Sequence, residues 1–234
     1  MFIIRPAKNF IRFYLQVLET ENAIKSMVFL FAGIVIGWWI YVPIHELLHA
    51  AGCLIAGGDV SKLEIKAIYG GGVLSHIFSF VVSGSDYAGR LSGFDTHGSD
   101  WAYGLLVYFP FLLSFCGFSG LEMGARRKNS FLFAFFLPIA LAPIISLTGD
   151  FLELGTLLLF QFWPGPSEIH RSLISDDLFL LMKQMSEGTD GVPSGPKSVV
   201  FVSLSFLAGA VMAWGTVLIS DGVRAAFFKG RPGA

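Results

Sequence analysis

The residues best suited to chemistry stand together as His45-Glu46-Leu47-Leu48-His49, an HExxH motif. On a helix, positions four apart lie on one face, so the imidazoles of His45 and His49 can reach one metal ion. Glu46 would lie beside that ion, where its carboxylate can act as general base. Two imidazoles and a carboxylate are a typical zinc ligand set that leaves a fourth position for water. We therefore predict a zinc (Zn2+) site with His45 and His49 as ligands and Glu46 as the catalytic residue.

A third protein ligand must come from elsewhere in the chain. Metzincins take it from ten residues after the first histidine, and that position is Ile55, so this subclass is excluded. The remaining candidates are acidic or histidine side chains: Asp150, Glu153, His76, His97 and His170. We favour Asp150, because Asp150 and His45 lie at similar depths, roughly 30 and 27 Å into two apolar segments that run in the same direction. Glu153, one turn further along the same face, is the alternative.

The elements that hold these residues are predicted to lie in a membrane. Of 234 residues, 54% are hydrophobic and 14% are charged, too few charges for the surface of a soluble protein. Four runs without charge are long enough to cross a hydrocarbon core of about 30 Å: 27–44, 101–121, 129–149 and 198–220. A net charge of −1 gives no general attraction to nucleic acid, and no nucleic-acid partner is predicted.

The sequence thus predicts an all-α polytopic membrane protein with about four transmembrane helices. The third run contains Pro138 and Pro143, and its apolar character resumes after Asp150. That segment is either one long kinked helix or a span followed by a re-entrant half-helix. Residues 1–25 combine basic residues with helical apolar periodicity, which indicates an amphipathic helix at the membrane interface.

A small membrane-associated β-hairpin is predicted at 60–82, between the first two runs. Residues 62–67 alternate polar and apolar side chains, residues 69–72 supply turn residues, and 73–82 reads as a second strand. Residues 83–100 are rich in Gly, Ser and Asp, and we expect them to form an irregular loop.

Residues 45–73, HELLHAAGCLIAGGDVSKLEIKAIYGGGV, resemble the site-2 protease family of intramembrane zinc metalloproteases, particularly its compact bacterial members. The shared features are HExxH followed by small residues, a Gly-Gly step, a short strand and a Gly-rich turn. The resemblance implies cleavage of a peptide bond in or near the transmembrane segment of another protein. It also implies a multi-pass location, in the lipid bilayer of the bacterial cytoplasmic membrane. By analogy His45 and His49 bind zinc, Glu46 is the base, and Asp150 matches the aspartate of the family's Leu-Asp-Gly motif.

This chain departs from the family pattern at two places. The sequence around the aspartate is Thr148-Gly149-Asp150-Phe151, so Asp150 is assigned by position more than by motif. The family's Gly-Pro-x-x-Asn element, whose Asn assists at the oxyanion, has no counterpart, since residues 58–128 contain no Asn.

The predicted organisation has four parts: an interfacial arm (1–25), a metalloprotease core (26–163) with the hairpin inserted at 60–82, an extramembrane loop (164–197), and a C-terminal transmembrane helix with a basic tail (198–234). Ten of the 16 Lys and Arg residues lie in the terminal segments and the 122–128 loop, which predicts cytoplasmic termini. The family usually turns its catalytic helix end toward the cytosol, opposite to this charge count, so the side stays open.

Two other functions stay open. One is a membrane zinc hydrolase of a lipid or small amide, which would need an acyl pocket. The other is a non-catalytic membrane protein whose metal site is structural, with a fourth protein ligand closing the coordination sphere.

Overall fold

The computed structural model describes residues 3–19, 22–162 and 196–229. Its α-helices are α1 (Arg5–Leu18), α2 (Ala23–Ile55), α3 (Gly71–Ile77), α4 (Asp100–Tyr108), α5 (Leu113–Arg126), α6 (Ser130–Ile145), α7 (Asp150–Phe162) and α8 (Pro196–Phe227). Its strands are β1 (Asp59–Ile65), β2 (Val81–Ser83) and β3 (Gly89–Asp95). The predicted loop at 164–197 lies outside the described residues except for its last two, which begin α8, and so does the tail beyond 229.

Four helical segments are long and apolar enough to cross a membrane: Ala23–Ile55, Asp100–Arg126, Ser130–Thr148 and Val199–Phe227. The second of these combines α4 and α5, which are joined by a 3-10 turn at Phe109–Leu112. The predicted count of four spans in a mostly helical protein is therefore confirmed by length and composition.

Glycines set how closely these helices pack. An added Cβ at Gly37 of α2 would overlap the backbone of α6 at Phe135. Added Cβ atoms at Gly155 of α7 and Gly209 of α8 would each overlap backbone of the other helix. Small residues at such crossings allow backbones to approach, which is how helices associate where lipid offers no hydrophobic driving force.

The third apolar segment is broken into two helices rather than kinked. α6 contains Pro138 and Pro143 and ends at Ile145, and a 3-10 turn at Ser146–Thr148 follows. Gly149, with φ −116° and ψ −108°, then separates this turn from α7. Because the helical backbone is interrupted at Gly149, a new helix, α7, begins at Asp150. This helix packs along α8.

The predicted hairpin at 60–82 is wrong. The sheet has the order β2-β1-β3, with β2 parallel and β3 antiparallel to β1. Gly70, in the left-handed region at φ 85°, caps a 3-10 turn and begins α3, so most of the expected second strand is helical. The antiparallel partner comes instead from residues 83–100, which were expected to be irregular.

The N-terminal arm forms the predicted amphipathic helix. α1 buries Phe13 and Val17 in a cluster with residues of α5, α6 and α8. Arg5 Nε donates to Asp221 Oδ2 at 2.6 Å, which ties the arm to α8. Asp221 is fully buried, so this end of the bundle contains a charge network as well as apolar packing.

Candidate metal site

His45, His49 and Asp150 come together, and this group of three could hold a metal ion. The Nε2 atoms of His45 and His49 are 3.0 Å apart. Asp150 Oδ2 is 3.5 Å from Nε2 of His45, and Asp150 Oδ1 is 3.7 Å from Nε2 of His49. Ligands of a tetrahedral ion with bonds of about 2.0–2.2 Å lie about 3.3–3.6 Å apart. The three side chains therefore fit a small tetrahedral ion with shifts of a few tenths of an ångström.

The two imidazoles are held by α2 and by the core behind them. His45 and His49 are one turn apart on α2, and each is 8% exposed. The ring of His45 packs edge-on against Phe111, with centroids 5.6 Å apart. On the far side of each ring, Nδ1 has a partner: Tyr41 Oη lies 2.6 Å from Nδ1 of His45, and the carbonyl of Leu106 lies 3.0 Å from Nδ1 of His49. Both Nε2 atoms are thereby aimed at Asp150.

Asp150 lies at the break between α6 and α7, where it is the first residue of α7. Burial raises the pKa of its carboxyl, but hydrogen bonds from His45 and Ser146 and the proximity of His49 outweigh burial and place the pKa below its ordinary value. The carboxyl is therefore ionised at neutral pH, which is the form that binds a metal.

The other candidate ligands lie outside this group. The carboxylate of Glu153 accepts a hydrogen bond from Tyr103 Oη at 2.9 Å. His76 lies in α3, and His97 is exposed beside Asp59 and Asp95. His170 is outside the described residues.

Glu46 and strand β3 line a cavity of about 450 Å³ that is also lined by the three possible ligands. Gly89 of β3 lies against the Glu46 side chain, and an added Cβ there would be 2.7 Å from Glu46 Cδ. Arg90 and Tyr103 line the same cavity. One wall is thus an edge strand of the sheet, and the opposite wall carries the HExxH motif.

The sequence predicted the three residues that come together here, and it gave no account of the residues around them. Tyr41 was detectable, because Tyr41, His45 and His49 are spaced four apart and share a helix face. No pattern in the neighbouring sequence could have indicated Gly89 or the carbonyl of Leu106, because their positions beside the site depend on how β3 and α4 pack on α2.

No protein-family model matches this chain, and no curated protein or solved structure matches it significantly. The likeness of residues 45–73 to the site-2 protease family therefore stays an expectation. The function has to be argued from the geometry of the site and from the spans that hold it.

Proposed function

We propose that the protein is an intramembrane zinc metalloprotease that hydrolyses a peptide bond in or near the transmembrane segment of another membrane protein. One observation carries this proposal: the buried His45 and His49 and the partly buried Asp150 share a cavity with a glutamate, Glu46, and with the edge of a β-sheet. A metal site, a base and a strand edge together can activate water, move a proton and hold an extended peptide backbone.

The donor set supports zinc in an open site. Two imidazole nitrogens and one carboxylate are ligands that zinc accepts at tetrahedral distances. Structural zinc sites usually have four protein ligands, whereas the described part of the chain brings three together here. The nearby carboxylate of Glu153 is hydrogen-bonded to Tyr103 instead. The arrangement therefore favours catalysis over a purely structural role.

Glu46 is the side chain that would move the proton. Zinc in such a site supplies Lewis acidity, lowering the pKa of a water to about 7 and polarising a carbonyl. Glu46 would accept a proton from a water whose oxygen adds to the scissile carbonyl carbon, and would return a proton to the leaving amide nitrogen as the C–N bond breaks. Its position next to His45 on α2 keeps the carboxylate beside the ligands throughout.

The sheet edge favours an extended polypeptide as substrate. A transmembrane helix must unwind before its carbonyls can be attacked, and unwinding exposes backbone groups that need partners. An edge strand can pair with such a segment by β-augmentation. Strand β3 lies at one edge of the sheet, and its Gly89 lies against Glu46, which supports β3 as the pairing strand.

Hydrolysis of a lipid amide is less well supported. An apolar groove of about 670 Å³ lies beside α4 and α7, and Trp101, Leu157 and Met212 are among its lining residues. That groove shares no lining residue with the metal cavity. The separate lining gives no support to an acyl chain in that groove with its head group at Glu46.

The test compares Glu46→Gln with wild type on candidate single-span proteins in reconstituted vesicles. Glu46→Gln should keep the zinc content and lower cleavage by about 10²–10⁴-fold, because only the base is lost. Glu64→Gln is the matched control, since Glu64 lies on β1 and pairs with Lys62. Normal cleavage by Glu46→Gln, or purified wild type without zinc, would contradict the proposal.

A further inference from the structure

Tyr41 lies directly behind the first histidine of the motif. It precedes His45 by one turn on α2 and is 4% exposed. Its hydroxyl oxygen is 2.6 Å from Nδ1 of His45, and the two rings are 5.1 Å apart. Trp38 packs on the phenol ring with centroids 5.9 Å apart. The tyrosine ring is therefore fixed by packing, and its hydroxyl points at one nitrogen atom.

The role of that hydroxyl follows from which nitrogen of His45 faces the metal group. Nε2 faces Asp150 and His49, so Nε2 is the atom available to an ion. A neutral imidazole that binds metal through Nε2 carries its hydrogen on Nδ1. In His49 this Nδ1–H donates to the carbonyl of Leu106. With Nε2 of His45 on an ion, the Nδ1–H of His45 would donate to Tyr41 Oη, which would then be the acceptor.

We propose that Tyr41 is a positioning residue of the metal site, whose hydroxyl oxygen holds His45 in the Nδ1–H tautomer with Nε2 on the ion. The inference rests on the proposed zinc site and is independent of proteolytic activity. Partners of this kind fix the tautomer and the orientation of a ligating imidazole, and their loss typically weakens metal binding by about 10–100-fold.

The experiment measures zinc affinity of the purified full-length protein by competition with a chromophoric chelator. Tyr41→Phe removes the acceptor while keeping the ring that packs between Trp38 and His45. Tyr108→Phe is the matched control, because it removes a partly buried hydroxyl that hydrogen-bonds Thr216 at 3.1 Å. The zinc Kd should rise about 10–100-fold in Tyr41→Phe and stay unchanged in Tyr108→Phe. The d–d absorption of bound Co2+ should change in Tyr41→Phe alone.

Two results would overturn the role of Tyr41: equal zinc affinity in Tyr41→Phe and wild type, or equal weakening in both variants. Wild type that binds no zinc would overturn the proposed function as well, so the two failures are distinguishable.

A measurement on wild type covers the case in which Tyr41→Phe does not fold. With histidine 15N-labelled and Cd2+ bound, 113Cd coupling should appear at Nε2 of His45, with the proton on Nδ1. Coupling at Nδ1 would overturn the inference.

Discussion

Replacing Gly89 by alanine should displace Glu46, the proposed general base, and leave the proposed zinc site intact. The φ of Gly89 lies outside the left-handed region, so the strand backbone accepts alanine. The new Cβ would overlap Glu46 Cγ most closely and would lie 2.7 Å from Cδ and 3.2 Å from Oε1. Carbon atoms in contact stay about 3.5–4.0 Å apart, so the Glu46 carboxyl must move by about 1 Å.

The size of the effect follows from that displacement. A misplacement of about 1 Å in a catalytic group can cost about 10²-fold in rate, which corresponds to about 2.7 kcal/mol in the activation free energy. We therefore expect kcat/KM of Gly89→Ala to fall about 100-fold on a reconstituted substrate. Zinc content should stay at the wild-type value, because Glu46 is not one of the three residues grouped as possible ligands.

The matched control for Gly89→Ala is Gly72→Ala. An added Cβ at Gly72 meets only Ser83 Oγ at 3.9 Å, so this variant should keep full activity. In the double variant of Gly89→Ala with Glu46→Gln, cleavage should fall no further than in Glu46→Gln alone, since both changes act on one group. Wild-type activity in Gly89→Ala, or loss of its zinc, would refute this placement of the base.

Three further changes test the ligand group and the packing around it. Asp150→Ala should lower the zinc content of the purified protein while Glu153→Ala retains it, and unchanged metal stoichiometry in Asp150→Ala would reassign the third ligand. Gly209→Ala should push α8 away from α7, because the new Cβ would overlap the backbone of α7, and it should lower the unfolding temperature and the zinc affinity. Equal values of both in variant and wild type would exclude that close helix contact. Glu122→Ala should destabilise the protein by less than the about 3–5 kcal/mol of an unpaired buried charge, because the buried Arg224 loses this carboxylate and keeps Asp221, and chemical denaturation measures the loss.

The parts of the site that the sequence could predict are those fixed by helical periodicity. The HExxH spacing places His45 and His49 on one face of α2 wherever that helix lies. Asp150 meets the two histidines because α2 and α6 run in the same direction, as the contacts of Gly33 with Phe131 and of Gly37 with Phe135 show, even though Gly149 interrupts the segment after α6. The count of spans followed from uncharged length alone.

The sheet was harder to predict because strand pairing depends on contacts distant in sequence. β3 contains two glycines, an arginine and an aspartate, so its strand propensity is low, and its pairing with β1 includes register shifts near Lys62. Residues 73–82 had the better strand composition, yet Gly70 turned the chain into α3 first. The wall opposite Glu46 therefore came from a segment without a periodic signal.

The possible ligands lie on two different helices, and this bears on the lifetime of the protein. His45 and His49 are on α2, whereas Asp150 belongs to α7, which is locked to α8 through Gly155 and Gly209. A bound ion would cross-link α2 and α7, between positions 45 and 150 of the chain. Folding and metal loading are then linked, and free zinc at 1,000 times its Kd adds about 4 kcal/mol to the unfolding free energy. If the group holds zinc as proposed, a cell starved of zinc would hold this protein in a form that chaperones and degradative proteases could unfold more readily.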